Sequence, residues 1–295
     1  MNNRLLLFPF LPCCINVRCA DEIIMKYVSV LFDLNLVTSQ EQRRAKIIKI
    51  EIIDRKKNNG LVCSRGLLIH RTAKVSLYKY SEDNYKAVVC NEKIDSAESL
   101  YYHLFLPYIK IIACQFGYID IHGAGIELSG CGIVFYGKSN AGKSTLATLL
   151  LLNGGFLLND DILFIKERNV YSFYRPIHIF PDIANIIGIG SQVEGKPYIK
   201  NREEVNYYYQ YEHSDKMKNF TRLCILVVIE YDDDVIFSAE CENEQEKRHK
   251  IRHECRLQAP CYDDIRIYSL RWGSKMLRNP SVFLDFISAI LKENG

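Results

Sequence analysis

Residues 137–145 read Gly-Lys-Ser-Asn-Ala-Gly-Lys-Ser-Thr, GKSNAGKST in one-letter code, and this stretch decides the fold. The apolar run GIVFY (132–136) leads in, and LATLLLLNGG (146–155) leads out, with Gly154-Gly155 as a helix stop. The spacing Gly137-x4-Gly142-Lys143-Ser144 is that of a loop whose backbone N–H groups curl round a polyphosphate, backed by the positive end of a helix. In such a loop Lys143 reaches the outer phosphates and the Ser144 hydroxyl ligates Mg²⁺. Average residue usage yields the pattern in about one chain of this length in a hundred, and a strand before it with a helix after it makes an accident rarer.

Working outward, FLLNDDILFI (156–165) reads as a buried strand interrupted by two carboxylates, Asp160 and Asp161. Adjacent carboxylates in an apolar strand are costly unless a cation or a reacting proton lies between them. One would hold Mg²⁺ and the other would take a proton from an attacking hydroxyl; a solvated strand-end turn is the plainer alternative. On the other side, YIDIHGAGIEL (118–128), a Ser129-Gly130 turn and CGIVFYG (131–137) read as a β-hairpin that brings His122 beside the loop. Before it, 96–117 reads as a helix from Ser96 to Gly117, kinked or broken at Pro107.

The first hundred residues carry strand patterns at 25–39, 45–53, 66–80 and 85–94 and no visible chemistry. Pro9 and Pro12 interrupt the apolar start, so 1–24 reads as an extension without fixed structure. Further on, LCILVVIEY (223–231) is a central strand and NPSVFLDFISAILKE (279–293) an amphipathic closing helix. CENEQEKRHKIRHECR (241–256) suits a solvated helix with Glu-to-cation pairs, or else a basic ridge for an acidic peptide. A formal charge of +3 is too mild for a nucleic-acid binder, and no run of eighteen apolar residues spans a membrane. Eleven cysteines at irregular spacings, none paired as CxxC, point to reduced thiols in a cytoplasmic protein.

The stretch IDIHGAGIELSGCGIVFYGKSNAGKSTLATLLLLNGGFLLNDDILFI (119–165) resembles the catalytic core of the HPr kinase/phosphorylase family, and more closely its kinase-only relatives. YRPIHIFPD (174–182) resembles the Arg-Pro segment that follows in those relatives, so the likeness covers 96–182, with 223–231 as a fainter echo. The resemblance implies an α/β fold: a phosphate-loop core of the phosphoenolpyruvate carboxykinase type with a mixed sheet, over 96–295. A smaller strand-rich region over 25–95 would precede it. It implies ATP and Mg²⁺ as cofactors and transfer of the γ-phosphoryl to a serine or threonine hydroxyl. Gly137, Lys138, Ser139, Asn140, Ala141, Gly142, Lys143, Ser144 and Thr145 would then bind the nucleotide. Asp160 would take the base position and Asp161, with Ser144, a metal position, although the two carboxylates could exchange. His122 would stand near the transferred phosphate and Arg175 near the acceptor or the phosphates.

The Glu-x-Arg-Gly segment of the bifunctional enzymes is missing from IIGIGSQVEGKPYIKN (186–201), which argues against phosphorolysis. Kinase-only relatives include enzymes that phosphorylate precursors of lasso peptides, so the expected acceptor is a peptide. A small-molecule hydroxyl, or an ATPase switch with water as acceptor, are the rival readings. No nucleic acid or membrane partner is expected, and an oligomer is compatible with the resemblance.

Overall fold

The computed structural model describes residues 2–8, 10–32, 46–57, 66–172, 177–192, 194–199, 205–211, 216–249 and 265–293. Its chain divides after Tyr118 into two units, Met1–Tyr118 and Ile119–Gly295. In the first unit β1 (Asn2–Leu7), β2 (Cys13–Cys19), β3 (Lys46–Asp54), β4 (Leu67–Arg71), β5 (Val75–Ser81) and β6 (Asn84–Val89) form one sheet. Their order is β1-β2-β3-β6-β5-β4. The β2–β3 and β3–β6 pairs are parallel and the rest antiparallel.

Two expectations fail here, for visible reasons. Residues 1–24 are not a structureless extension, since they supply β1 and β2, and Cys13, Cys14, Ile15, Val17 and Cys19 are buried. Burial pushes the Cys13 thiol up to about 12, so it behaves as a small apolar group. Of the strand expected at 25–39, the described part, 25–32, is not a strand either, and 33–39 lie outside the described residues. Residues 25–32 belong to helix α1 (Glu22–Phe32), which buries Ile24, Met25, Val28 and Phe32 along one face. Asp21 starts that helix: its Oδ1 accepts the N–H groups of Ile23 at 2.9 Å and Ile24 at 3.0 Å, an N-cap.

The expected helix over 96–117 is present, as α2 (Ala97–Leu100), a π-helical turn at Tyr101–Phe105 and α3 (Leu106–Gln115). Ser96 caps it by accepting the Ser99 N–H at 3.1 Å. The widened turn sits immediately before Pro107, which has no N–H to give and whose ring crowds the preceding turn. This helix belongs to the first unit, so the division falls at 118/119 rather than at 95/96.

The second unit begins with β7 (Ile119–Leu128) and β8 (Cys131–Tyr136), then α4 (Lys143–Leu152), β9 (Phe156–Asn159), β10 (Ile162–Lys166) and β11 (Asn169–Tyr171). It continues through β12 (Ile177–Ile179), α5 (Pro181–Ile186), β13 (Glu194–Ile199), β14 (Val205–Tyr211) and β15 (Phe220–Tyr231). β16 (Phe237–Cys241), α6 (Glu244–His249), β17 (Arg266–Trp272) and α7 (Ser281–Lys292) complete it. The main sheet runs β11-β10-β7-β8-β15-β17-β16, with β9 also on β7 and with β11 also pairing the first residues of β15. β12, β14 and β13 form a separate three-stranded sheet.

The β8–β15–β17 core is parallel, as befits strands followed by crossovers, and its strands are accordingly apolar on both faces. Ile133 and Phe135 of β8, Ile225, Val227 and Ile229 of β15 and Leu270 of β17 face a cluster that includes residues of α4 and α7. Val134, Leu226 and Ile267 alternate to the other face, against Ile121, Leu163 and Val170. The expected hairpin is β7–β8, closed at Ser129 and Gly130, both left-handed at φ +53° and +83°. The strand expected at 223–231 and the helix expected at 279–293 are β15 and α7. No helix among the described residues is long and apolar enough to cross a membrane.

Candidate functional site

The turn from β8 into α4 brings together most of the residues that the sequence singles out. Gly142 is left-handed (φ +89°) and caps α4, and Asn140 is left-handed as well (φ +64°). Such positions turn successive backbone N–H groups toward one point, where the helix's positive end adds to them. Gly137 is required for a different reason. A Cβ there would lie 2.5 Å from the carbonyl oxygen of Ile229, so only glycine lets the loop leave the sheet beside β15. Lys138, Ser139 and Asn140 are exposed at the rim, while Ala141, Lys143 and Thr145 are buried. The Lys143 Nζ donates to the carbonyls of Gly137 at 3.0 Å and Lys138 at 2.8 Å, which keeps its charge at the mouth of the loop.

β9 and β10 line up on the same edge of β7, with Asp160 and Asp161 between them. Asn159 ties the gap by donating from its side chain to the Ile162 carbonyl at 2.6 Å. The Gly123 N–H donates to the Asp161 carbonyl at 3.0 Å, so pairing with β7 persists across the break. The strand stops because Asp161 has φ +93°, a conformation costly for a residue with a side chain. That cost of order 1–3 kcal/mol is typical of functional turns.

The two carboxylates part company there. Asp160, 6 % exposed, accepts the Ser144 hydroxyl on its Oδ1 at 2.7 Å. Asp161 faces His122, with Oδ1 to Nδ1 at 3.1 Å; the imidazole is 51 % exposed and the carboxylate 17 %. The inner carboxylate thus meets the helix N-terminus, and the outer one meets a ring open to solvent. Ser144 and Asp160 offer hard oxygen donors side by side, the set that Mg²⁺ takes when phosphates supply further ligands.

Arg175 lies outside the described residues, as do 250–256 of the charged segment; of that segment α6 and the end of β16 are seen. One residue near the loop escaped the sequence reading. Trp272, at the end of β17, is the only tryptophan in the chain, and its Nε1–H donates to the Ala141 carbonyl at 3.0 Å. A lone Trp followed by Gly273 at the end of an apolar run was the available signal. A cavity of about 480 Å³ lies elsewhere, among Glu230, Glu240, Glu242, Glu246 and Arg271; it takes in the start of the charged segment but none of the residues expected to bind nucleotide or metal or to act in catalysis.

A mixed sheet, a glycine-rich turn into a helix, and two carboxylates with a histidine beside that turn define an α/β domain organised round one loop. Residues 117–230 match the family model described as HPr Serine kinase C-terminal domain. Among curated proteins, the HPr kinase/phosphorylase of Clostridium botulinum is 28% identical over 109 residues, 36% of each chain. That of Treponema pallidum is 33% identical over 111 residues, 36% of this chain and 35% of its own. That of Lactococcus lactis is 27% identical over 108 residues, 35% of each. The chain thus spans about a third of the length of the curated relatives it matches. Among solved structures, the Hpr(Ser) kinase/phosphatase from Coxiella burnetii is similar at a TM-score of 0.33 and 13% identity, over 60% of this chain and 99% of that one.

Proposed function

We propose that the unit Ile119–Gly295 binds ATP with Mg²⁺ on the 137–145 loop and transfers the γ-phosphoryl group to a serine or threonine hydroxyl, on a peptide. The observation that carries this reading is the division of labour beside the loop, with Ser144 on Asp160 and His122 on Asp161. On that geometry the roles of the two carboxylates are exchanged relative to the sequence expectation. Asp160 shares its place with the Ser144 hydroxyl and would hold the metal; Asp161, nearer to solvent and paired with His122, would take the proton.

Bound there, Mg²⁺ supplies charge neutralisation at the β- and γ-phosphates. The loop N–H groups and Lys143 hold those phosphates in place. The acceptor oxygen attacks the γ-phosphorus as the bond from that phosphorus to the bridging oxygen of the β-phosphate breaks, and ADP leaves. The acceptor's proton passes to the Asp161 carboxylate, which His122 orients. Little covalent work is asked of the protein, so positioning and charge carry the rate.

The peptide acceptor is supported by the likeness to kinase-only relatives, by the missing Glu-x-Arg-Gly segment, and by the half-exposed imidazole at the outer edge of the site. The test is mass spectrometry of candidate acceptors after incubation with the protein, ATP and Mg²⁺. One added phosphate on a Ser- or Thr-containing peptide, and none on HPr, is the expected result. Phosphate on a free sugar or amino acid alone would move the reading to a small-molecule kinase, and phosphate released only to water would move it to an ATPase.

A further inference from the structure

We infer that Trp272 is a positioning residue for the 137–145 loop, its indole fixing the turn at Ala141 and Gly142 in the form a phosphate meets. The inference rests on the reading of that loop as a nucleotide-phosphate site. A loop that aims its N–H groups inward must aim carbonyls outward, and an outward carbonyl in a buried place needs a donor. Ala141 is buried, and the Trp272 Nε1–H, 3.0 Å from its carbonyl oxygen, is that donor. The ring does a second thing. It lies beside Gly142, so close that a Cβ on that residue would stand 1.9 Å from the indole Cζ2. The missing side chain of Gly142 is therefore matched to the tryptophan, at a position whose left-handed φ favours glycine as well.

Trp272 is itself held. It is 2 % exposed, and in the parallel β15–β17 ladder it stands opposite Tyr231, whose ring meets it edge-on with centroids 5.3 Å apart. The Tyr231 hydroxyl donates to Asp233 Oδ1 at 2.6 Å, and the Ser274 N–H donates to the same oxygen at 3.0 Å. These bonds hold the Asp233 carboxyl below the usual carboxylate range, so it stays an acceptor at neutral pH. The loops that follow β8, β15 and β17 are thereby fastened to one another, with the indole between them. A loop set in advance loses less freedom when it closes on phosphate, and that favours binding.

The sole tryptophan makes the claim measurable in the unaltered protein. Titration with Mg-ADP should change the intrinsic tryptophan emission along a saturating curve whose midpoint is the dissociation constant that calorimetry gives. Trp272→Phe keeps the ring and removes the N–H. Its KM for ATP should rise about threefold to tenfold, the scale of one neutral hydrogen bond, with kcat nearly unchanged. Its melting temperature should stay within a few degrees of the parent's. If calorimetry shows nucleotide binding while the emission stays flat and Trp272→Phe keeps the parent KM, the inference is overturned and the loop reading stands. If the parent binds no nucleotide, both fall. Should Trp272→Phe fail to fold, the emission titration still decides.

Discussion

The two units use buried polarity differently. Tyrosines aside, Ser76 is the one buried polar or charged side chain among the described residues of Met1–Tyr118. In Ile119–Gly295, Lys143, Thr145, Thr148, Asn159 and Asp160 are all buried within a single loop, helix and strand. Burying such groups costs free energy that apolar residues would not incur, so their concentration in one place marks what that place is for. The first unit spends its interior on aromatic contacts instead, with Phe8 edge-on to Phe32 and Phe32 edge-on to Phe105 at 5.6 and 5.0 Å. Charge differs as well: residues 1–118 carry seventeen Lys and Arg against eleven Asp and Glu, and 119–295 carry twenty-one against twenty-four.

If this contrast is right, substitutions in the second unit's polar cluster should damage chemistry more than folding. Asp161→Asn should lower kcat by about 10²–10⁴-fold, as loss of a general base does, with nucleotide affinity kept. Asp160→Asn should instead raise the Mg²⁺ concentration needed for half-maximal rate. Steady-state kinetics at several Mg²⁺ concentrations separate the two, and the opposite pattern would restore Asp160 as base. In the first unit the balance should invert. Phe105→Ala should cost about 3–5 kcal/mol in denaturant unfolding, through the cavity it leaves, with the KM for ATP unchanged wherever the protein is folded.

Smaller effects test the helices of the first unit. Asp21→Ala removes the cap of α1 and should cost about 1 kcal/mol, read from the same unfolding curves. His103, in the π turn, has its pKa pushed down, first by burial and then by Lys74. The unfolded chain therefore takes up this proton more readily than the folded one. Stability should fall as pH drops through the ordinary histidine range, about 6.5, and the loss is complete below the folded value. His103→Gln should make the stability curve slightly flatter between pH 7 and 5, and an unchanged slope would remove His103 from the account.

What was legible in the sequence was what is local. The strand, loop and helix from Cys131 to Leu152 lie in one continuous stretch, so their order and the spacing of the loop could be read directly, although what crowds Gly137 and Gly142 comes from Ile229 and Trp272 far along the chain. His122 reaches the carboxylates through a hairpin and a strand pairing, both announced by turn residues and apolar alternation. Trp272 was not legible, because it meets Ala141 across 131 residues of chain, through the β8–β15–β17 ladder. Helix α1 was misread for another reason. Its apolar residues also suit a loose alternation, and Asp21, the residue that settles the matter, lay inside a segment read as structureless. The two carboxylates could not be told apart either, since their difference is a backbone angle at Asp161.

The central claim is that the turn at 137–145 is where a nucleotide's phosphates sit. Calorimetric titration of Mg-ATP into the parent protein and into Lys143→Ala tests it most directly. The account expects one nucleotide bound per chain, and an affinity about ten- to a hundredfold weaker in the variant, because a charged donor facing the phosphates is gone. Equal affinity in the two proteins would contradict it.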